Sequence, residues 1–221
     1  MTKTVKRKLR RSLIAWSILL LICIVLFLLG WKGVIWFNMP SKRKYPVRGV
    51  DVSHYQGDID FAAIAEQDLS FVFIKATEGS GTVDERFAEN WENARTAGLY
   101  AGAYHFFSFD SAGDTQADNF IAAVPYAEDA LPPVIDLEHY RTEDLPDAAS
   151  VQEQLRVMLD RLRQAYGKTP IIYTTSTCYE AYLESSDLNY ILWIRSVLTP
   201  PSSALEWQFW QYNPRGLLEG Y

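Results

Sequence analysis

The chain has 221 residues, 21 Lys and Arg against 27 Asp and Glu, a formal net charge of −6, and 14% aromatic residues. Seven basic residues (Lys3, Lys6, Arg7, Lys8, Arg10, Arg11 and Lys32) fall early and no acid precedes Asp51, so 14 basic against 27 acidic residues remain, a net of −13. That balance excludes nucleic acid as a partner of the main domain, because phosphate binding needs a basic face, and the length suffices for one domain with its own core.

Residues 1–11 are a basic segment, and residues 12–37 hold the uncharged run "LIAWSILLLICIVLFLLGW" from Leu13 to Trp31. Roughly 20 apolar residues cross a bilayer as a helix. Basic residues ahead of such a run stay in the cytoplasm, and Trp31 and Trp36 suit the far interface. No small-x-small cleavage site follows, so the run reads as a transmembrane signal-anchor that is kept. The expected location is the plasma membrane, single-pass, with a cytoplasmic N-terminus and the main domain on the cell-wall side. Residues 38–47 read as a polar linker, and residues 48–221 as the domain.

Within the domain, "RGVDVSH" and "LSFVFIKATEG" read as strands. "VDERFAENWENARTAG" reads as a helix with Asp84 as N-cap, Phe87, Trp91 and Ala94 on one face, and Gly98 as its stop. The strand "LYAGAYHFF" follows, then the helical "AGDTQADNFIAAV" and the strand "PPVIDLE". "ASVQEQLRVMLDRLRQAYG" reads as a long helix with Leu155, Met158, Leu159, Leu162 and Tyr166 on one face and Gly167 at its end. "TPIIYTT", "NYILWIRSV" and "WQFWQYN" complete seven strand candidates. Cys23 lies in the apolar run and Cys178 in the domain, so the domain has no internal disulfide and relies on its core.

Near-continuous apolar strands alternating with helices predict a parallel sheet covered on both faces, either an open doubly wound sheet or a small barrel. No GxGxxG follows the first strand, which lowers the case for a nucleotide-binding sheet. Polar residues gather at strand ends, where a β/α barrel keeps its active site.

The strongest local signal is "LPPVIDLEHY". Side chains alternate along a strand, so Val134, Asp136 and Glu138 share one face and Ile135 and Leu137 the other. With Ile135 and Leu137 under the helices, both acids face the barrel mouth, their Cα atoms about 6.6 Å apart at twice the strand rise. Two such acids in a partly apolar site do not both ionise easily, and one keeps a proton near neutral pH, as a general acid must. The bland alternative is that both cap the next helix or pair with Arg141. Other strand ends repeat the pattern: Asp51 on the first, Lys75 and Glu78 on the second, Tyr104 and His105 on the third, Tyr173 on the fifth, Trp193 and Arg195 on the sixth, and Trp207, Trp210 and Tyr212 on the last. Carboxylates with flat aromatic rings suit a sugar substrate. His54, His105 and His139 with the three acids could also hold a divalent metal. No HxH or HxxxH pair is present, and no metal or other cofactor is expected.

The motifs "RGVDVSHYQGDIDF", "FVFIKATEG", "AGAYHFF", "PPVIDLE", "PIIYTT" and "FWQY" occur in an order that resembles glycoside hydrolase family 25, the Chalaropsis-type lysozymes or N,O-diacetylmuramidases. The resemblance runs from Arg48 to Tyr212. It implies an α/β fold, an irregular TIM-like β/α barrel with fewer helices than strands. It implies hydrolysis of β-1,4 bonds between N-acetylmuramic acid and N-acetylglucosamine, with peptidoglycan glycan strands as the partner. On the same footing Glu138 is the general acid, and Asp136 its partner, orienting the N-acetyl group or a charged intermediate. Asp51 is the third acid, and Lys75, Tyr104 and Tyr173 contact substrate, with His105, Glu78, Trp193 and Gln211 as further candidates. Family members continue past the "WQY" strand to an Asp-containing strand that closes the barrel. Here "NPRGLLEGY" follows, so the domain is expected to be C-terminally incomplete, with an open edge. A catalytically weak wall-binding module is the second reading, and a metal-dependent polysaccharide hydrolase or deacetylase the third.

Overall fold

A computed structural model describes residues 3–139 and 146–221. Arg141, considered above as a partner for the acid pair, lies outside the described residues. Helix α1 (Lys3–Trp31) comes first. The domain then runs β1 (Gly49–Val52), α2 (Phe61–Ala65), β2 (Phe71–Glu78), β3 (Thr82–Val83), α3 (Phe87–Thr96), β4 (Tyr100–Phe106), α4 (Gly113–Ala123), β5 (Val134–Leu137), α5 (Ala148–Tyr166), β6 (Ile171–Thr175), β7 (Ile191–Arg195) and β8 (Trp207–Gln211).

All seven expected strands form, and they pair in parallel in the order β1-β2-β4-β5-β6-β7-β8. The additional β3 is a two-residue strand antiparallel to the end of β2. No ladder among the described residues joins β8 to β1. The sheet is therefore a curled parallel half-barrel: the α/β class and the open edge are as expected, and closure into a TIM-like barrel is not seen among the described residues. Across the gap, Gln211 Nε2 donates to Asp51 Oδ1 at 3.0 Å. Behind it, residues near Tyr221 fold back on α2, where Asp60 N donates to Gly220 O at 2.9 Å.

The two faces of the sheet carry separate cores. Outside, Ile74, Ile135, Leu137 and Ile172 pack with Phe87, Trp91, Phe120, Leu155, Met158, Leu159 and Leu162 from the helices. Inside, Phe73, Val134, Ile171, Tyr173 and Trp193 form a smaller aromatic plug with Phe71 and Phe209. Two glycines make room for that plug. Gly49 pairs with Phe71 and Gly102 with Phe73 across neighbouring strands. A Cβ on Gly49 would lie 2.3 Å from the Phe71 ring, and one on Gly102 2.5 Å from the Phe73 ring. A dense interior has no slack for that.

The helices follow the periodicity of the sequence. In α5, Leu155, Met158, Leu159 and Leu162 are buried, and Gly167 ends the helix in the left-handed region at φ 65°. Helix α3 buries Phe87, Trp91 and Ala94 as expected, but Asp84 is not its N-cap, because the helix begins after Arg86. Asp84 is buried and instead accepts from His54 N at 3.1 Å and pairs with His54 Nδ1 at 2.6 Å. The polar linker and the residues just before it are docked on the domain. Asn38 Nδ2 donates to Ser196 O at 2.9 Å, Trp36 Nε1 to Val197 O at 2.9 Å, and Tyr45 packs against Trp207 and Trp210.

Candidate active site

The carboxyl ends of the strands surround a cleft of about 520 Å³. Asp51 enters from β1, Lys75 and Glu78 from β2, Tyr104 from β4, Asp136 and Glu138 from the end of β5, Tyr173 from β6, Trp193 from β7 and Gln211 from β8. Strand alternation accounts for the acid pair. Ile135 and Leu137 are fully buried in the outer core, which turns Asp136 and Glu138 inward with Val134.

A side-chain chain of contacts crosses the cleft. Tyr173 Oη lies 3.5 Å from Glu138 Oε1 and donates to Gln211 Oε1 at 2.9 Å, and Gln211 Nε2 reaches Asp51. One amide thus orients two groups on opposite sides of the open seam. Arg195 Nη1 stands 3.6 Å from Glu138 Oε1, and Lys75 Nζ pairs with Glu78 Oε2 at 2.6 Å above the Phe106 ring.

Burial sets the electrostatics. Asp136 is pushed well above the usual carboxylate range, first by loss of water, then by the charges of Glu138 and Asp51. Its Oδ1 is buried with no hydrogen-bond partner. Asp51 is raised by burial and held back by the Gln211 amide. Glu138 is raised by burial too, but Arg195 and the Tyr173 hydroxyl oppose the shift. Where neighbouring acids interact this strongly, protons leave the pair in steps that belong to both. Lys75 and Arg195 oppose the shift at Asp136 only partly and form no ion pair with it, so Asp136 is the tighter proton holder in the cleft, and Glu138 is the partner with Arg195 at its oxygen. Tyr104 and Tyr173 are driven upward by burial and remain protonated donors.

His105 is the exception among the candidates. It is fully buried on the helix side of β4, with Nδ1 2.7 Å from Thr77 Oγ1 and Nε2 3.0 Å from Gln116 Oε1. Adjacent strand residues face opposite ways, so Tyr104 in the cleft puts His105 behind it. Burial lowers its pKa to about 4. The other two histidines also go elsewhere, His54 to Asp84 and His139 to an edge contact with Phe109. Among the described residues no group of three or more His, Cys, Asp or Glu side chains is placed to hold a metal ion. Ser53, Tyr55, Phe106 and Pro214 line the cleft without having been singled out. For Phe106 the signal was available, since it lies two residues beyond Tyr104 on the same face.

An open, polar cleft with a buried acid pair and aromatic walls at the strand ends defines a glycoside-hydrolase type of site. The chain belongs to the family described as glycosyl hydrolases family 25, which it matches over residues 50–221. It is similar to a family 25 glycosyl hydrolase from Bacillus anthracis, with 47% identity and a TM-score of 0.79, covering 83% of this chain and 86% of that one. It is 35% identical over 189 residues to lysozyme M1 of Streptomyces globisporus, covering 79% of this chain and 64% of the relative. With the N,O-diacetylmuramidase of Chalaropsis sp. it shares 32% identity over 151 residues, covering 64% of this chain and 72% of the relative.

Proposed function

We propose that this chain is a membrane-anchored lysozyme that hydrolyses the β-1,4 bond between N-acetylmuramic acid and N-acetylglucosamine in peptidoglycan. The observation that carries this reading is the pair Asp136 and Glu138, turned into one cleft with Asp51 in a family 25 chain. The names of its relatives, lysozyme and N,O-diacetylmuramidase, support the substrate. No cofactor is required.

In this reading Glu138 delivers the proton to the glycosidic oxygen. It borders the cleft, while the neighbouring Asp136 retains the proton of the pair more tightly and orients the 2-acetamido group of the substrate. Substrate desolvates the cleft further, which favours the neutral form of Glu138 against the pull of Arg195. Asp51, held by Gln211, faces the charge that develops at the sugar. Tyr173 and Tyr104 serve as donors, and Lys75, Glu78 and Trp193 form the walls. Helix α1 supports a single-pass anchor: within Arg10–Trp31 an 18-residue stretch has a mean hydropathy of 3.0, and none of that stretch is buried in the protein. The basic residues ahead of it favour a cytoplasmic N-terminus, which leaves residues 48–221 on the wall side.

Mass spectrometry of peptidoglycan digested by the full chain tests the reading. New reducing muramic acid ends are expected. Their absence, with glycan bound but intact, would leave a wall-binding module. Loss of hydrolysis in a chelator would point to the metal-dependent alternative.

A further inference from the structure

The site is attached to its anchor in an unusual way. Helix α1 ends at Trp31, and Gly33 turns the chain in the left-handed region at φ +72°. That glycine lies directly against the backbone of Arg215, where a Cβ would come within 2.0 Å of the carbonyl oxygen. The Arg215 guanidinium sits over the Trp31 ring at 4.8 Å. Pro214, the residue before it, lines the catalytic cleft. Next along the chain, Trp36 donates to Val197 O and the buried Asn38 to Ser196 O. Ser196 and Val197 directly follow Arg195, the cation beside Glu138. The contacts of Trp31, Gly33, Trp36 and Asn38 with the domain are therefore at the carboxyl-end rim of the sheet. From there the chain runs down beside β8, past Trp210 and Trp207 through Tyr45, to the base where β1 begins.

A second observation concerns the same rim. Trp31, Val34, Phe37, Met39, Leu198 and Leu217 are all exposed, Phe37 and Leu198 at 85% and 81%. Lys32 and Arg215 lie among them. Apolar and aromatic side chains interspersed with cations, continuous with a membrane-spanning helix, fit the headgroup boundary of a bilayer. A free linker of this length would let the domain roam by about 3.3–3.6 Å per residue. The docked one does not.

We propose that the rim formed by residues 196–198 and 214–217 rests on the outer surface of the bilayer, so that the mouth of the cleft opens at the membrane face. Resting on the muramidase reading, the substrate is then glycan lying against the membrane, the newly made or lipid-linked strands, rather than mature wall at a distance. The base of the sheet, where β4 begins at Tyr100, points away.

The test uses the full chain in phosphatidylglycerol and phosphatidylethanolamine vesicles carrying a headgroup nitroxide quencher. Cys23→Ser removes the exposed thiol, and Cys178 is buried. A fluorophore is placed at Leu198→Cys on the rim or at Tyr100→Cys on the base, separated by the length of β4, about 20 Å at the rise of a strand. Leu217→Cys is a second rim position should Leu198→Cys fold poorly. Quenching several-fold stronger at either rim position than at Tyr100 is expected. Equal quenching, or stronger quenching at the base, overturns the proposal even if the vesicles hydrolyse peptidoglycan. Failure of the chain to float with the vesicles overturns it together with the anchor. Rim-selective quenching with no hydrolysis of any glycan strikes the muramidase reading and leaves the membrane-face placement standing.

Discussion

Glu138→Gln separates chemistry from architecture. Glutamine has nearly the same shape and still offers an oxygen to the Tyr173 hydroxyl, 3.5 Å away. It cannot give up a proton. Loss of a general acid lowers turnover about 10²–10⁴-fold, or about 3–5 kcal/mol of barrier at 1.36 kcal/mol per factor of ten. Stability should change far less. The ion pair lost is the 3.6 Å contact with Arg195, whose side chain is 38% exposed. With the Arg195 side open to solvent the pair contributes about 0–1 kcal/mol, and removing the mostly desolvated carboxylate of Glu138, 13% exposed, offsets part of that. In a domain of this size 1 kcal/mol moves Tm by about 2–4 °C. The assay is release of reducing muramic acid ends from purified peptidoglycan, with a thermal melt of the same preparation. A folded Glu138→Gln protein with near-wild-type turnover would refute the acid assignment.

Asp51→Asn and Asp136→Asn should each lower turnover by a comparable 10²–10⁴-fold. Near-normal rates in both would remove them from the machinery. Asp136→Asn should also change the pH dependence of stability. Because its folded pKa is raised, the stabilising contribution is complete below the ordinary carboxylate range and lost as pH rises through the folded value. The variant should therefore gain on wild type in urea unfolding at pH 7 and show no such gain at pH 3. An unchanged difference at the two pH values speaks against a protonated Asp136. His105 has the opposite slope: its folded pKa is lowered to about 4, so its contribution is present above 6.5 and lost as pH falls toward 4. That loss is about 3 kcal/mol at 1.36 kcal/mol per pKa unit. His105→Gln should flatten this limb without changing the ratio of turnover at saturating to limiting substrate. A substrate-contacting His105 would move KM. Gly102→Ala should cost about 1–3 kcal/mol through overpacking against Phe73, and a wild-type Tm would show that the plug has room.

Much of the site was legible because strand periodicity is local. The alternation in "PPVIDLE" needs only a buried face for Ile135 and Leu137 to turn Asp136 and Glu138 together, whatever surrounds them. The same rule, applied to adjacent Tyr104 and His105, allowed only one of them in the cleft. The Asp84 cap failed for a different reason. One of its carboxylate oxygens is held by His54, thirty positions away, and the other accepts from Arg86 N in the turn before the helix; no window of local sequence contains the His54 contact.

The sequence by itself determined the long apolar helix, the seven parallel strands, the buried faces of the helices and the acid pair, since each depends on local composition or on spacing of 2 or 3.6 residues along the chain. Tertiary structure decided that Gln211 links Asp51 to Tyr173 across the open edge between β8 and β1, and that Trp36 and Asn38 fasten the segment after α1 to the rim. Those outcomes rest on contacts between residues roughly 40 to 160 positions apart. Such contacts depend on how the curled strands bring side chains into register, and no local pattern encodes that.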